Sequence, residues 1–289
     1  MNLINLLIAP VIGSVAVSAN YVPAFPGLSS CPDIARGCTN TTAASANPFP
    51  HCCIPDQGLV VFAQNWTMGY CANKNNTCAP STIKSLPRDA WTLHGLWPDY
   101  CDGTYSTDNL GCIHEYGFEG TYEMVKKFGG GLLERMKKVW MGADGDFEWM
   151  WTHEFNKHGT RMSTINPKCY GKSYKPHLPV LDYFKTTLSL YPRYNLFQIL
   201  KKSGVVPSKK KTYTLKQSQD AIILGIGYEA SITCTKGSDG RSYLTEIWIS
   251  TTARPNFKFD TQKPVPSAYV ASCNAAAIVY EPQPGSSYK

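Results

Sequence analysis

The sequence lacks several motifs by which enzymes and metal sites are commonly recognised. It contains no Gly-x-Ser-x-Gly segment, no Cys-x-x-Cys pair, no cluster of carboxylates and no internal repeat. These absences disfavour a serine hydrolase with a nucleophile elbow, a zinc site built on paired cysteines, a metal-dependent phosphoesterase and a solenoid. We therefore expect neither a metal nor a cofactor.

The first 19 residues contain no charged side chain and are mostly apolar. Pro10 and Gly13 interrupt this run, which is also short for a membrane span. It ends in Val17-Ser18-Ala19, small residues of the kind that precede a signal-peptidase site. We predict a signal peptide at 1–19 and a mature chain at 20–289 that is secreted to the cell exterior or a vacuole-like compartment, without membrane association.

The chain has 11 cysteines, an unusual number for a reducing compartment. In a secreted protein they indicate a disulfide framework, and the odd count leaves at least one thiol without a partner in the same chain. Three glycosylation sequons agree with secretion, although such triplets also occur by chance. They lie at Asn40, Asn65 and Asn75.

The formal net charge is +7, and no side chain of the first 19 residues contributes to it. A basic surface favours a polyanionic partner through steering and counterion release. A solvated basic surface with no such partner would carry the same charge. The charge therefore permits RNA binding and does not decide for it.

Hydrophobic patterning predicts a single domain that contains both helices and strands. Strands are predicted at Gly58–Trp66, Tyr243–Thr251 and Ala275–Tyr280, and a polar surface loop at Cys71–Pro87. Helices are predicted on both sides of a glycine break within Thr121–Trp140, and at Leu181–Leu190, Tyr194–Lys202 and Leu215–Leu224. This order favours an α+β fold with an antiparallel sheet core braced by helices on one side and stapled by disulfides.

The segment Trp149–Gly159 predicts a helix that stops at Gly159. At about 100° per residue, its four ionisable side chains share less than half of the circumference. They are His153, Glu154, Lys157 and His158. A solvated helix face is the ordinary interpretation of such a set. The tryptophans one turn upstream favour a pocket instead, because aromatic surfaces beside titratable groups shift their pKa values.

These residues do not match a zinc protease, since His153 and His158 are five residues apart whereas the His-Glu-x-x-His motif needs four. A cysteine nucleophile conflicts with a framework that oxidises most thiols. Acid–base chemistry by imidazole remains. Cleavage of RNA through its own 2′-hydroxyl needs a base, an acid and cations for the phosphorane. Lys157 can supply charge, and Glu154 can hold an imidazolium or, when protonated, donate to a phosphorane oxygen.

A second candidate segment is His94-Gly95-Leu96-Trp97-Pro98. A histidine between apolar residues is more often a satisfied core residue than a catalyst. Here Gly95 permits a close backbone approach, and Pro98 is expected to end the strand-like run after Trp97. Trp97 and Tyr105 are potential stacking surfaces for a base, although burial is the commoner fate of a tryptophan.

At these residues the chain resembles the ribonuclease T2 family, and more closely its fungal members. Two segments carry the resemblance, in the family's order and about 60 residues apart: His94-Gly95-Leu96-Trp97-Pro98 and His153-Glu154-x-x-Lys157-His158-Gly159-Thr160. The resemblance extends from about Cys31 to Tyr280 and includes Cys52-Cys53, Cys101, Cys234 and Cys273.

The resemblance implies an α+β endoribonuclease that cleaves single-stranded RNA through a 2′,3′-cyclic phosphate to 3′-phosphate ends. It also implies little base preference and often an acidic optimum. Carried over by position, His158 is the general base and His94 the general acid, while His153 binds phosphate. Glu154 and Lys157 stabilise the transition state, and the base 5′ of the cut is held by Trp97, Asp99 and Tyr105. We expect a monomer.

The fungal pattern also implies four disulfides: Cys31–Cys53, Cys38–Cys101, Cys52–Cys169 and Cys234–Cys273. Cys71 and Cys78 lie outside that set and are expected to pair across the surface loop. One position departs from the pattern. Arg161 stands where fungal relatives commonly have a cysteine, whose partner corresponds to Cys112. We therefore predict that Cys112 is a free thiol, and we hypothesise that Arg161 contacts a substrate phosphate.

Two rival functions deserve comparison with this one. A secreted binding or effector protein could keep the scaffold and act through its surface, although the intact set of His94, Glu154 and His158 argues against an inactive enzyme. A metal-dependent phosphoesterase is disfavoured because carboxylates are not clustered in the sequence.

Thiol titration tests the cysteine assignment. The unreduced protein, unfolded in denaturant, should react with one equivalent of a thiol reagent per monomer, because Cys112 lacks its usual partner. After reduction all 11 cysteines should react. A monomer with no reactive thiol before reduction would show the prediction to be wrong.

Overall fold

The computed structural model describes residues 31, 37–38, 52–105, 120–255, 258–260 and 272–288. The proposed signal peptide at 1–19, the sequon at Asn40 and the predicted free thiol Cys112 lie outside these residues. In the described ranges the chain forms one α+β domain, which confirms the predicted fold class. None of the helices in these ranges is long and apolar enough to cross a membrane.

Seven strands of the described chain form one sheet. They are β1 (Leu59–Asn65), β2 (Thr92–Asp99), β3 (Thr212–Tyr213), β4 (Ser231–Lys236), β5 (Ser242–Arg254), β6 (Lys258–Asp260) and β7 (Ile278–Val279). The order is β2-β1-β5-β7-β3, and both β4 and β6 also pair with β5. Every pairing is antiparallel except that of β5 with β7, which is parallel.

The first five residues of β1 are apolar, and both faces of the sheet are covered there. Val60 and Phe62 point into the main core, which the helices complete. On the opposite face lies a small second cluster, formed by Val61, Ala63 and Trp97 with Trp248 packed against it. Side chains alternate between the faces of a strand, so a continuous apolar run is what a strand buried on both sides requires.

The α-helices of the described chain are α1 (Thr67–Tyr70), α2 (Pro80–Ser85), α3 (Thr121–Phe128), α4 (Leu132–Val139), α5 (Phe147–Lys157), α6 (Pro167–Tyr170), α7 (Leu178–Leu190), α8 (Leu196–Lys202) and α9 (Leu215–Ile226). Short 3₁₀ turns occupy 159–161, 163–165 and 171–173. The five helices predicted from periodicity are present. The segment expected to be a loop contains α2, which begins at Pro80, a residue favoured in the first helical turn.

The described residues contain five disulfides, and they are the five pairs expected from the sequence: Cys31–Cys53, Cys38–Cys101, Cys52–Cys169, Cys71–Cys78 and Cys234–Cys273. The two sequons in the described chain differ in accessibility. Asn75 is exposed in the loop after α1. Asn65 ends the central strand β1 with its Oδ1 buried, and the hydroxyl of Thr67 is buried as well, which argues against a glycan at Asn65.

Gly159 does not end the helix in the way its sequence position suggested. The α-helix ends at Lys157, and Gly159–Arg161 continues as a 3₁₀ turn. Gly159 is not among the glycines with a positive φ, so it provides no left-handed cap. A Cβ at this position would lie 2.6 Å from a ring carbon of Phe155 and 3.2 Å from one of Tyr183. Close packing, rather than helix termination, accounts for this glycine.

Replacing Gly159 by alanine should therefore destabilise the protein. The added methyl group meets buried aromatic rings, and overpacking of this kind costs about 1–3 kcal/mol. Urea unfolding of Gly159→Ala measures the loss. Gly131→Ala is the control, because a Cβ there meets nothing within 4 Å and its φ is −68°. Equal stability of the two variants would contradict the packing explanation.

Candidate active site

Helix α5 presents the predicted catalytic face to a cavity of about 210 Å³. Asp146 caps its first turn by accepting a hydrogen bond from the Trp149 amide at 2.8 Å. Trp151 and Phe155 are buried in the core and anchor the opposite side. The four residues grouped by helical periodicity all line the cavity. Residues of β2, of the segment after β2, of β5 and of the turn after α5 complete the wall. The lining residues are His94, Trp97, Pro98, Asp99, Tyr105, His153, Glu154, Lys157, His158, Arg161 and Trp248.

Strand β2 carries His94 at an irregularity in its pairing with β1. Ala63 pairs with Gly95, but the next residue, Gln64, pairs with Leu93, so His94 is the extra residue of a β-bulge. In uninterrupted alternation His94 would share a face with Leu96, which lies in the core. A bulge shifts the alternation by one residue and re-aims a side chain. His94 consequently reaches the cavity instead of the core.

Pro98 does not end the strand, contrary to the expectation from sequence. Strand β2 continues through Asp99, with Pro98 paired opposite Val60. Among the described strands, β2 is an edge strand of the sheet, and it pairs with β1. Proline is tolerated on such an edge, where its missing amide hydrogen leaves no ladder bond unmade.

The carboxyl group of Glu154 links α5 to β2. It is fully buried, and its Oε2 accepts a hydrogen bond from Trp97 Nε1 at 2.9 Å. Its Oε1 lies 3.4 Å from His94 Nε2. A Cβ on Gly95 would overlap Glu154 Oε2. Gly95 is thus needed at a close approach between backbone and carboxylate, as the sequence suggested.

The site gives its titratable groups different proton affinities. Burial raises the pKa of Glu154 to about 7, against the opposing effects of His94, the Trp97 hydrogen bond and Lys157. Burial alone would lower the pKa of His94. The charges of Glu246 and Glu154 and the hydrogen bond to Glu246 outweigh that effect and raise it to about 9.

The pKa values of His153, in α5, and of His158, directly after α5, shift in the opposite direction from that of His94. Burial, followed by the nearby charges of Lys157 and His94, holds the pKa of His158 well below its ordinary value. Burial and the same two neighbours also lower the pKa of His153. At neutral pH the cavity therefore holds a neutral imidazole at His158 and a protonated one at His94.

The aromatic residues of the cavity differ in what they can offer a ligand. Trp97 is nearly buried: it stacks on His158 with ring centroids 5.2 Å apart, and its N–H is engaged by Glu154. Tyr105 is 52% exposed at the rim of the cavity, while Asp99 is buried in its wall. Trp97 therefore acts mainly as a wall of the site, and Tyr105 offers the more open aromatic face.

Two contributions from β5 were not recognised in the sequence. Glu246 Oε1 lies 2.7 Å from His94 Nδ1, and Trp248 Nε1 donates to Glu246 Oε2 at 2.7 Å. The sequence predicts a strand at Tyr243–Thr251, which contains both residues, but it assigns neither of them a role. Nothing in a single sequence connects either residue with His94, which precedes Glu246 by 152 positions.

A second, more open cavity of about 640 Å³ adjoins the first along α5. It shares His153 and Lys157 with the first, and its other lining residues are Gly120, Asp146, Glu148, Trp149, Thr152 and Asn156. Trp149 is 57% exposed and stacks on His153 with ring centroids 4.9 Å apart. Among the described residues, no group of three His, Cys, Asp or Glu side chains is arranged to hold a metal ion.

The cleft brings two imidazoles with opposite pKa shifts together beside a buried carboxyl and a lysine, the kinds of group that general acid–base catalysis uses. A sequence model of the Ribonuclease T2 family matches residues 57–265, more than half of the chain. The chain belongs to the ribonuclease T2 family, and it is an endoribonuclease of that family.

Individual relatives agree with this assignment. The chain is 33% identical to ribonuclease T2 of Aspergillus oryzae, over 94% of its own length and 90% of the relative's. It is 32% identical to ribonuclease Rh of Rhizopus niveus, over 73% and 78% of the two chains. Among solved structures it is similar to Actibind, a T2 ribonuclease, with a TM-score of 0.67, 27% identity, and coverage of 80% and 91%.

Arg161 lies in the wall of the smaller cavity and is 5% exposed. Its Nε donates to the carbonyl of Lys157 at 2.8 Å, and its buried Nη2 has no hydrogen-bond partner within the described chain. Its charge contributes to the lowered pKa of His158. A buried guanidinium nitrogen without a partner in the wall of the site supports the hypothesis that Arg161 contacts a phosphate oxygen of the substrate.

The salt dependence of RNA cleavage tests this contact. Each phosphate neutralised on a single strand contributes about −0.7 to the slope of log affinity against log salt concentration. We expect Arg161→Gln to make the slope of log kcat/KM shallower by about that amount and Arg161→Lys to retain it. Lys210→Gln, at an exposed loop position, removes the same charge outside the cavity and is the matched control. The contact is absent if Arg161→Gln and Lys210→Gln have the same slope.

Proposed function

We propose that this chain is a secreted endoribonuclease that cleaves single-stranded RNA by metal-independent transesterification through a 2′,3′-cyclic phosphate. The observation that carries the proposal is the convergence of His94 and His158 on one cavity beside the buried carboxyl group of Glu154, and opposite pKa shifts of the two histidines support it. The pKa of His158 is lowered and that of His94 is raised to about 9. A neutral imidazole is a base and an imidazolium is an acid, so each group holds at mildly acidic to neutral pH the proton state that its role requires.

In the first step His158 removes the proton from the 2′-hydroxyl, and the 2′-oxygen attacks the adjacent phosphorus. The bond from phosphorus to the 5′-oxygen breaks, and His94 gives its proton to that leaving oxygen. The products are a 2′,3′-cyclic phosphate and a free 5′-hydroxyl. In the second step the roles reverse: His94 takes a proton from water, and the water oxygen attacks phosphorus. The bond from phosphorus to the 2′-oxygen breaks, and His158 gives its proton to that oxygen. A 3′-phosphate remains.

The other groups on α5 act on the phosphate. Lys157 supplies a cation beside the developing phosphorane charge, and His153 binds a phosphate oxygen. Burial raises the pKa of Glu154 to about 7, so this carboxyl is largely protonated in mild acid and can donate a hydrogen bond to a phosphorane oxygen. Its Oε1 has no hydrogen-bond partner among the described residues and faces His94, which supports this role.

Base recognition in this proposal rests on stacking and on few specific contacts. Tyr105 provides an exposed ring at the rim, and Asp99 and Trp97 form the wall behind it. Stacking on an aromatic ring tolerates every base because each base has a π-face. Low base specificity follows from such a site.

The cellular part of the proposal rests on the sequence. Residues 1–19 form a signal peptide that is removed, and residues 20–289 form the catalytic domain, which acts as a monomer outside the cytosol. The five disulfides suit an oxidising compartment. Of the two sequons in the described chain, Asn75, which is exposed in its loop, is the one that the fold accommodates better.

Incubation of the mature chain with single-stranded RNA in EDTA at mildly acidic pH tests the mechanism. Cleavage should proceed and yield 2′,3′-cyclic phosphate ends that later become 3′-phosphates. His158→Phe should lose about 10²-fold or more in rate, since a positioned base contributes about 10²- to 10⁴-fold. Product ends are measured by phosphorus NMR or by end-specific labelling.

Other outcomes would point to other functions. Cleavage that requires added Mg²⁺ or Zn²⁺ would indicate a metal-dependent phosphoesterase. RNA binding without cleavage, with or without metal, would indicate a binding protein. Lys210→Gln serves as the control for nonspecific effects of substitution, because Lys210 lies outside the cavity.

A further inference from the structure

Glu246 lies behind His94, on the side away from the bound phosphate in the proposed function. Strand β1 separates the two residues in the sheet: Asn65 pairs with Thr92 of β2 on one side and with Glu246 of β5 on the other. The bulge at His94 brings the imidazole to the face of the sheet from which Glu246 projects. An irregularity in β2 and a regular position in β5 thus place a carboxylate and an imidazole in contact.

The contact uses the ring nitrogen that does not face Glu154. His94 Nδ1 lies 2.7 Å from Glu246 Oε1, whereas its Nε2 lies 3.4 Å from Glu154 Oε1. The second oxygen of Glu246 accepts a hydrogen bond from Trp248 Nε1 at 2.7 Å. Both carboxylate oxygens are therefore engaged, and the carboxylate is held in one orientation.

Glu246 is not among the residues that line either cavity, and its side chain is 16% exposed. In the proposed function the phosphate binds in the smaller cavity, so Glu246 does not contact it. His94, by contrast, lines the smaller cavity and is 31% exposed. Any effect of Glu246 on the reaction must pass through the imidazole.

We propose that Glu246 is the positioning residue of the general acid. It accepts the Nδ1 proton of His94, directs the Nε2–H toward the leaving 5′-oxygen, and keeps the imidazole protonated until that oxygen departs. This inference rests on the proposed function, in which His94 is the acid. Trp248 supports this role, because its indole N–H holds the Glu246 carboxylate, which in turn orients the His94 ring.

The charges around His94 make a negative partner necessary. The imidazole of His94 faces four ionisable groups on α5 and at its end: Glu154, Lys157, His153 and His158. On β5 it faces Glu246. Lys157 disfavours the imidazolium, and Glu154 loses its charge when protonated, as it largely is in mild acid. The Glu246 carboxylate, whose pKa is lowered by His94 and the hydrogen bonds despite its burial, remains ionised under those conditions.

A leaving-group comparison distinguishes this role from a merely structural one. A dinucleotide such as UpA expels an alkoxide that needs a proton, whereas uridine 3′-(4-nitrophenyl phosphate) expels a phenolate that does not. We expect Glu246→Gln to slow cleavage of UpA by about ten-fold or more, within the range that a general acid contributes, and to leave cleavage of the aryl ester within about three-fold of wild type. Retained aryl-ester activity also reports that the variant is folded.

The proton affinity of His94 provides the second measurement. In ¹⁵N-labelled protein, the imidazole nitrogens titrate visibly by NMR. Loss of the Glu246 charge should lower the pKa of His94, so that the alkaline decline in UpA cleavage that follows its deprotonation moves to lower pH. Glu246→Asp should restore part of both effects. Glu229→Gln, which removes one negative charge at an exposed position, should change neither.

His94→Phe separates failure of the inference from failure of the proposed function. If His94→Phe slows the two substrates equally, His94 is not the acid and the proposed function is wrong in that assignment. If His94→Phe slows UpA selectively and Glu246→Gln slows neither substrate, or both equally, Glu246 is not its positioning residue. Selective slowing by both variants, with a lowered His94 pKa in Glu246→Gln, supports the inference.

Discussion

The geometry of the site depends on the contacts of one buried group, the carboxyl of Glu154. A carboxyl removed from water needs hydrogen-bond partners, and leaving it without them is costly. The Trp97 indole donates a hydrogen bond to Oε2, and the His94 imidazole lies 3.4 Å from Oε1 as an ion-pair partner; both residues belong to β2. For the carboxyl to reach these partners, α5 must lie so close to β2 that Gly95 has no room for a side chain. One polar contact thus requires the close approach of the two elements that carry the proposed catalytic groups.

Strand β2 needs support of its own, because its outer edge and its bulge leave backbone groups outside the sheet ladder. Helical side chains satisfy several of them. The Trp140 indole donates to the His94 carbonyl at 2.7 Å, and the Tyr183 hydroxyl bonds to both the amide and the carbonyl of Leu96. Covering an edge in this way prevents further strand pairing and fixes the strand. The bulge that aims His94 at the cavity is therefore held from outside the sheet.

The sequence was sufficient for those parts of the site that lie on a single regular element. Helical periodicity alone grouped His153 with His158, and the structure places both at the cavity. Prediction from the sequence failed where an element is irregular, or where two strands that are distant in the sequence pair with each other. Alternation would have placed His94 in the core, since a one-residue bulge leaves no pattern in the residues themselves. Glu246 reaches His94 only through the pairing of β1 with both β2 and β5. The role expected of Gly159 was wrong for a related reason: whether a glycine serves backbone conformation or close packing depends on neighbours such as Tyr183.

The two carboxyl groups around His94 also determine how tightly its imidazole holds the proton. While His94 is charged, it stabilises the ionised forms of both Glu154 and Glu246. In the proposed mechanism the proton of His94 leaves with the 5′-oxygen, and this stabilisation is then lost. Glu154 has the higher pKa of the two, so it is the one that takes up a proton from solvent as pH falls. The three groups titrate as one coupled unit rather than as separate residues. In the proposed mechanism this coupling favours mild acid, where Glu154 is neutral, His94 is charged and His158, with its lowered pKa, can still act as a base.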